Sequence, residues 1–174
     1  MIFRLHGQAV FSPTEEEKIN QGNMLVHENR HWSLKHREDS KLPGYLILTS
    51  KVSGEGSLSE LEDGALEELG RLQVTATMVL ESVLQARLVY VCRWGHQPGH
   101  APHFHIVPLY GWVERAYAAD HRWTDEEPDG PVLFKYITIA FTEDEAAPPI
   151  HGPSVEEVVG ILRQGFAERD GITP

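Results

Sequence analysis

Residues Gly95–Pro108 have the sequence GHQPGHAPHFHIVP, and four of the ten histidines of the chain fall within them. The second half of this stretch is an apolar run interrupted by His103 and His105, a pattern typical of a β-strand. Successive side chains of a strand point to opposite faces. We therefore predict that His103 and His105 lie on one face of a strand, with Phe104 and Ile106 on the other.

A pair of imidazoles on one face of a strand suits proton transfer, nucleophilic attack or metal binding. A single histidine beside an apolar strand is more often a hydrogen-bonded structural residue. For this pair, with His96 and His100 just upstream, we favour a functional site over a structural one. The Gly- and Pro-rich residues before His103 predict a loop whose backbone N–H groups can hold a small anion.

Composition limits the classes of protein that need to be considered. A chain of 174 residues favours a single domain over residues 1–174. Its net charge of −11 argues against nonspecific binding to nucleic acid or to an anionic membrane. Cys92 is the only cysteine, so no intrachain disulfide and no cysteine-based zinc site can form. There is no signal-peptide pattern and no membrane-spanning apolar run, so we expect a cytoplasmic protein.

Hydrophobic periodicity predicts the main elements of the fold. His31–Ser50 has the pattern of a β-hairpin with a polar turn that ends in Pro43-Gly44. Arg87–Trp94 predicts a strand antiparallel to the one that begins at His103. A long helix is predicted over 61–84 and is expected to pack on the sheet, because apolar residues recur there at three- and four-residue steps. These are Leu61, Leu66, Leu69, Leu72, Ala76, Val79, Leu80, Val83 and Leu84.

The remaining segments predict a C-terminal extension. Gly111–Ala119 indicates a short helix, and Val132–Phe141 is rich in aromatic and β-branched residues and indicates a strand. Ser154 begins a capping box with Glu157 and predicts a last helix. A weak helical signal runs through residues 1–28, with a helix start at residues 12–17. Together these patterns predict an α+β fold, in which an antiparallel sheet of about five or six strands carries one long packed helix and a C-terminal strand–helix extension.

The order of these elements, with Pro-Gly-Tyr-Leu-Ile-Leu at 43–48 and the His-x-His strand ending in Val107-Pro108, resembles the histidine triad (HIT) superfamily. Its members carry a His-φ-His-φ-His-φ-φ motif, where φ is apolar. They include Hint-like nucleoside phosphoramidases and Fhit-like diadenosine polyphosphate hydrolases. The resemblance covers a core of about 30–110, is specific in 95–108, and leaves 111–174 as the C-terminal extension of a single HIT-like domain.

The chain has two motif histidines where the family has three, so two alignments are open. In one, His103 and His105 match the first and second family positions, and Val107 takes the third. In the other they match the second and third, and Ala101 takes the first. We prefer the second alignment, because it places Ile106-Val107-Pro108 on the apolar end of the motif and needs no gap in the loop.

On that alignment the resemblance implies a role for each candidate residue. His103 matches the nucleophile that attacks the α-phosphorus of a nucleotide and forms a nucleotidyl-histidine intermediate. His105 matches the residue that stabilises charge on the phosphate oxygens. Gln97 and His96 match the phosphate loop, in which Pro98 replaces the family's Ser or Thr. Asp39 is a candidate contact for the ribose hydroxyls, and His100 and His121 are spare candidates for the site.

The resemblance also implies partners and cofactors. The substrate would be a small-molecule nucleotide carrying a phosphoanhydride or phosphoramidate, of the diadenosine polyphosphate or nucleoside phosphoramidate type. No cofactor is required, although Mg²⁺ can accompany a polyphosphate. A homodimer is compatible with apolar surface around Trp94 and Trp112.

Three other interpretations stay open from the sequence. The first is a noncatalytic nucleotide-binding protein on the same fold, suggested by Ala101 in place of the first histidine. The second is a metal enzyme whose ligands come from the four histidines of Gly95–Pro108. The third is a structural or interaction protein in which these histidines are incidental.

Overall fold

The computed structural model describes residues 24–51, 57–94, 100–123, 127–143 and 147–169. These residues form a five-stranded antiparallel sheet, with helices packed against it. The predicted α+β class is confirmed. The predicted helix start at residues 12–17 lies outside the described residues.

The sheet has the strand order β1-β2-β3-β5-β4, and every neighbouring pair is antiparallel. The predicted hairpin is β2 and β3, and the predicted pairing of the strand after residue 87 with the histidine strand is β4 against β5. The edge strand β1 was not predicted, and the weak helical signal over residues 1–28 was wrong where this strand lies. The strands are β1 (Leu25–Glu28), β2 (Trp32–His36), β3 (Leu46–Ser50), β4 (Leu88–Cys92) and β5 (His103–Leu109).

One face of the sheet forms the main core. Alternate residues of the three central strands lie in register across it, as Leu34 does with Leu48 and Leu48 with Phe104. Helix α1 (Asp63–Ser82) contacts β4, β5 and the last helix, which confirms the predicted long helix. Part of its predicted apolar stripe was wrong, because Leu66 and Val83 are nearly half exposed. The stripe that is buried consists of Ala65, Leu72, Ala76, Val79 and Leu80.

The C-terminal extension is helical, so the predicted strand at Val132–Phe141 was wrong. Helix α2 (Gly111–Ala119) is where it was predicted, but α3 (Gly130–Thr138) replaces the strand and continues into a π-helical turn, Ile139–Glu143. The side chain of Asp129 caps α3 by accepting from the N–H of Val132 at 2.9 Å, and Pro131 stands in the first turn. These start signals and the helical spacing of Leu133, Tyr136 and Ile137, all buried, prevail over the β-propensity of the segment.

Helix α4 (Val155–Arg169) confirms the predicted last helix and its capping box. The hydroxyl of Ser154 accepts from the N–H of Glu157 at 3.2 Å, and the Glu157 carboxylate accepts from the N–H of Ser154 at 2.7 Å. Helix α4 packs on α1 and β1. Among the described residues, no helix combines the length and apolarity needed to cross a membrane.

The turn before β3 depends on Gly44, which has a backbone φ of +83°. A Cβ at this position would lie 2.7 Å from Leu80 Cδ2. We therefore expect Gly44→Ala to lower the free energy of unfolding by about 2 kcal/mol, through left-handed backbone strain and overlap with α1. Chemical denaturation measures this loss. Gly160→Ala is the matched control, since a Cβ there meets no atom within 4 Å, and an equal loss in both variants would contradict the prediction.

Candidate functional site

Strand β5 places His103 and His105 side by side on one face of the sheet, as predicted. Their ring centroids are 5.4 Å apart and the rings meet edge to face at 69°. On the neighbouring strand β3, Thr49 lies opposite His103 and Ile47 opposite His105. The intervening residues Phe104 and Ile106 are buried in the core.

The environment of His103 fixes the position of its proton. Its Nδ1 lies 3.1 Å from the carbonyl oxygen of Ala101, a group that can only accept a hydrogen bond. Just before β5, the N–H of Ser50 donates to the carbonyl of Pro102 at 2.8 Å, which fixes the backbone next to Ala101. Because the Ala101 oxygen can only accept, Nδ1 of His103 is the donor, and in the neutral ring the lone pair of His103 resides on Nε2.

His105 lies in a drier environment with a different partner. Its Nδ1 is 3.0 Å from the hydroxyl of Tyr45, the residue that precedes β3. Burial, the neighbouring His103 and the charge of Arg37 lower the pKa of His105 to about 4. The ring of His105 is therefore neutral at pH 7.

A network of polar side chains from the turn between β2 and β3 reaches His105 through Tyr45. Arg37 donates from Nε and Nη2 to the two carboxylate oxygens of Asp39, at 2.6 and 2.9 Å. From Nη1 it donates to the Tyr45 hydroxyl at 3.0 Å. Arg37 also holds the pKa of the Asp39 carboxyl below its ordinary value. Asp39 thus belongs to this network, with its carboxylate paired to Arg37, and its contact with the ribose stays a prediction.

Arg37 and Tyr45 were not identified from the sequence. Arg37 stands in a polar turn in which every charged residue looks solvated, and Tyr45 is part of an apolar strand pattern. The available clue was the charge pair Arg37-x-Asp39 just ahead of the Pro43-Gly44 turn. The pairing of β3 with β5 brings the Tyr45 hydroxyl to His105, and Arg37 reaches the histidine only through that hydroxyl.

Helix α3 adds an aromatic side chain to this face of the sheet. The ring of Phe134 meets His105 edge to face at a centroid distance of 5.7 Å. Phe134 also contacts Trp94, at 5.5 Å, and the Trp94 side chain is half exposed. The C-terminal extension therefore takes part in the wall around His105. The strand predicted for this segment gave no basis for placing Phe134 there.

The other candidates from the sequence are less closely associated with the pair. His96 and Gln97 lie outside the described residues. His100 is exposed before the start of β5, and His121 lies in a turn beside Asp120. Cys92 lies opposite His105 on β4, but burial raises the pKa of its thiol. Within the described ranges, no three His, Cys, Asp or Glu side chains converge as a metal site would require.

The described residues share their fold with solved histidine triad proteins. No protein-family model matches the chain, and no curated protein matches it in sequence. Solved structures do match it in three dimensions. A zinc-bound histidine triad family protein from Mycobacterium smegmatis superposes with a TM-score of 0.52 at 12% identity, over 90% of this chain and 94% of that one.

Two further solved structures show the same likeness. A hypothetical histidine triad nucleotide-binding protein from Sulfolobus tokodaii gives a TM-score of 0.52 at 13% identity, over 83% of this chain and 84% of that one. A diadenosine triphosphate hydrolase from Plasmodium falciparum, solved with cyclomarin A, gives 0.51 at 10% identity, over 87% and 80%. At these identities the likeness is one of fold, and it confirms the resemblance inferred from the sequence.

The depressed pKa of His105 predicts how stability depends on pH. In the unfolded chain this imidazole binds a proton below about pH 6.5, whereas the folded protein resists protonation down to about pH 4. Between these values the unfolded state binds more protons, so stability falls as pH falls. We expect the melting temperature of the wild type to drop more steeply from pH 7 to pH 4.5 than that of His105→Asn. Parallel curves for the two proteins would contradict this.

Proposed function

We propose that this protein is a HIT-like nucleotide hydrolase or transferase. It acts at the α-phosphate of a nucleotide phosphoanhydride or phosphoramidate and passes through a nucleotidyl-histidine intermediate. The observation that carries the proposal is the contact between His103 Nδ1 and the Ala101 carbonyl at 3.1 Å. It leaves the Nε2 lone pair of His103 available as a nucleophile, beside a second imidazole at 5.4 Å.

The reaction takes place in two displacements. In the first, the Nε2 lone pair of His103 forms a bond to the α-phosphorus while the bond to the leaving group breaks, and the leaving group departs with that electron pair. In the second, water attacks the same phosphorus and loses a proton to solvent, which balances the proton that the departed leaving group takes up. The P–N bond then breaks, the nucleoside monophosphate leaves and the neutral His103 is restored. If another hydroxyl or phosphate replaces water, the same steps amount to a transfer.

His105 takes the role of phosphate ligand in this scheme. Its neutral ring can donate a hydrogen bond to a non-bridging oxygen, and such a donor stabilises the charge that develops there in the transition state. His96 and Gln97 are proposed as loop contacts to the phosphates, on the strength of the family resemblance. Mg²⁺ can accompany a polyphosphate substrate, and the histidine chemistry itself requires no metal.

A noncatalytic nucleotide-binding protein is the second candidate, and a specific observation favours it. Ala101 supplies only a backbone carbonyl where the family has a histidine side chain, so the hydrogen bonds of that imidazole are missing from the site. A protein of this kind would bind a nucleotide without forming a covalent intermediate. The likeness to a histidine triad protein described as nucleotide-binding is compatible with either candidate.

Intact-protein mass spectrometry after rapid acid-free quenching distinguishes the two candidates. The wild type is mixed with adenosine 5′-phosphoramidate or with diadenosine tetraphosphate, and release of AMP is followed in parallel. A transient adenylyl adduct together with AMP release supports the enzyme. Thermal stabilisation by AMP with neither adduct nor turnover supports the nucleotide-binding protein. Absence of all three effects would contradict both candidates.

We also propose that the chain forms a homodimer through the edge strand β4. Leu88 and Val91 are exposed on this edge, and Trp94 follows it with half of its surface exposed. An apolar edge of this kind can pair with another strand. Trp112, the other tryptophan considered, packs within the chain against Tyr110 and Phe141. Light scattering with size-exclusion chromatography is expected to give a dimer for the wild type and a monomer for Val91→Lys.

A further inference from the structure

We propose that Arg37 and Tyr45 are positioning residues that, together with Asp39, hold His105 in the tautomer protonated at Nε2. The presentation of this N–H to a substrate phosphate rests on the proposed function, whereas the tautomer itself does not. The inference depends on the direction of each hydrogen bond along one chain of contacts. That chain runs from Asp39 through Arg37 and Tyr45 to His105.

The direction of these hydrogen bonds is set at the charged end of the chain of contacts, where Arg37 lies. A guanidinium has only donors, so the contact between Arg37 Nη1 and the Tyr45 hydroxyl at 3.0 Å must run toward the tyrosine oxygen. Asp39 fixes the orientation of the guanidinium by accepting from its Nε and Nη2, in the two-bond geometry that arginine and carboxylate favour. The Arg37 guanidinium carbon also lies 5.1 Å from the centroid of the Tyr45 ring.

The second step concerns the proton of Tyr45. Its oxygen accepts from Arg37, and its O–H is then directed to His105 Nδ1, which lies 3.0 Å away. Tyr45 is fully buried, so this hydroxyl has no solvent to turn toward. The hydroxyl of Thr138 also lies near it but makes no hydrogen bond to it. The backbone N–H of Arg37 donates to the Tyr45 carbonyl at 2.8 Å, which keeps the two residues in register. An Nδ1 that accepts a hydrogen bond leaves the single proton of a neutral imidazole on Nε2.

The two adjacent imidazoles therefore hold opposite tautomers. His103 donates from Nδ1 to the Ala101 carbonyl and keeps a lone pair on Nε2. His105 accepts at Nδ1 from Tyr45 and carries a proton on Nε2. One ring is thereby prepared to attack phosphorus and the other to donate to a phosphate oxygen. The difference arises from whether the Nδ1 partner is a carbonyl or a phenol.

This arrangement assigns Asp39 a role other than the ribose contact implied by the family resemblance. Both of its carboxylate oxygens receive hydrogen bonds from Arg37. Asp39 would thus act on the reaction through Arg37 and Tyr45, without touching the nucleotide. Accordingly, Asp39→Asn is expected to slow the reaction without changing the preference between ribose and 2′-deoxyribose substrates.

The test is nitrogen NMR of the histidine rings in the uniformly ¹⁵N-labelled protein at pH 7.5. Long-range proton–nitrogen correlations distinguish a protonated from a lone-pair nitrogen, and the signals missing in His105→Asn assign this ring. The wild type is expected to show His105 protonated at Nε2 and His103 protonated at Nδ1. A wild-type His105 protonated at Nδ1 would overturn the proposal without any need for a variant of Tyr45.

Tyr45→Phe removes only the hydroxyl, and Tyr110→Phe is its matched control. Tyr110 is also buried, but its hydroxyl donates to the carbonyl of Pro43, away from the histidines. We expect His105 to become a mixture of tautomers in Tyr45→Phe and to stay unchanged in Tyr110→Phe. In Arg37→Met we expect the tautomers of His105 to mix as they do in Tyr45→Phe. Arg37→Lys keeps a cationic donor, so we expect it to retain more of the Nε2-protonated tautomer than Arg37→Met does. A His105 spectrum unchanged in Tyr45→Phe would overturn the proposal.

Activity is measured separately, so that a failure of the function and a failure of the positioning role can be told apart. In Tyr45→Phe we expect the rate of adduct formation to fall about tenfold, as for loss of one oriented hydrogen bond. If the wild type forms no adduct while the tautomers behave as described, the proposed function fails and the positioning role stands. If the adduct forms but the tautomers do not respond, the positioning role fails.

Discussion

Replacing His103 with asparagine is expected to abolish the nucleotidyl adduct and to reduce release of the nucleoside monophosphate by at least about a thousandfold. Asparagine preserves polarity and size near the Ala101 carbonyl but offers no nitrogen lone pair of comparable nucleophilicity. The measurement is intact mass after mixing with the phosphoramidate, alongside the steady-state rate. Because His103 lies on the partly exposed face of β5, the variant is expected to fold.

His105→Asn is the matched variant, since it lies two residues away on the same face. It removes a stabilising donor and leaves the nucleophile, so we expect the adduct still to form, at a rate lowered roughly 100-fold. If the adduct were lost in His105→Asn and retained in His103→Asn, the roles of the two histidines would be reversed. In that case the alignment that places Val107 in the third family position would be the correct one.

Trp32→Ala is expected to produce the largest loss of stability among single substitutions, about 4 kcal/mol in the free energy of unfolding. Trp32 begins β2, is fully buried, and donates from Nε1 to the carbonyl of Ala65 in α1 at 2.9 Å. Truncation would leave a large cavity between the sheet and the helix and would remove this hydrogen bond. We expect the melting temperature to fall by roughly 10 °C in a thermal scan.

Trp94→Ala is the control for this prediction. Trp94 is also a tryptophan at a strand end, but half of its side chain is exposed and it contacts Phe134 beside the site. We expect Trp94→Ala to lower the free energy of unfolding by less than half as much as Trp32→Ala. Equal losses for the two variants would mean that the contact with Ala65 and the burial of Trp32 do not govern stability as described.

The error at Val132–Phe141 has a clear physical origin. Its aromatic and β-branched residues favour a strand by local propensity, which is a weak guide when a segment can bury a helical stripe instead. The signals for a helix start lie just upstream: Asp129 is the N-cap residue and Pro131 stands in the first turn. These two residues outweighed the propensity of the segment, because a cap satisfies backbone N–H groups that would otherwise lack partners.

Features that depend on neighbours in the chain could be predicted from the sequence. The alternation of His103 and His105 with apolar residues placed both rings on one face, because strand geometry has a period of two. In the same way, three- and four-residue steps located α1, and the Ser154 capping box located the start of α4. All of these are short-range regularities, and the structure confirms each of them.

The surroundings of the two histidines, in contrast, depend on contacts between residues far apart in the chain. Tyr45 lies 60 positions before His105 in the chain, and their contact exists because β3 pairs with β5 in one particular register. Phe134 arrives from a helix of the C-terminal extension, and Arg37 from the turn between β2 and β3. No periodicity in the sequence predicts these contacts, since they depend on how the elements pack. That packing supplies the low pKa of His105 and the partner of its Nδ1, and so distinguishes two imidazoles that look equivalent in the sequence.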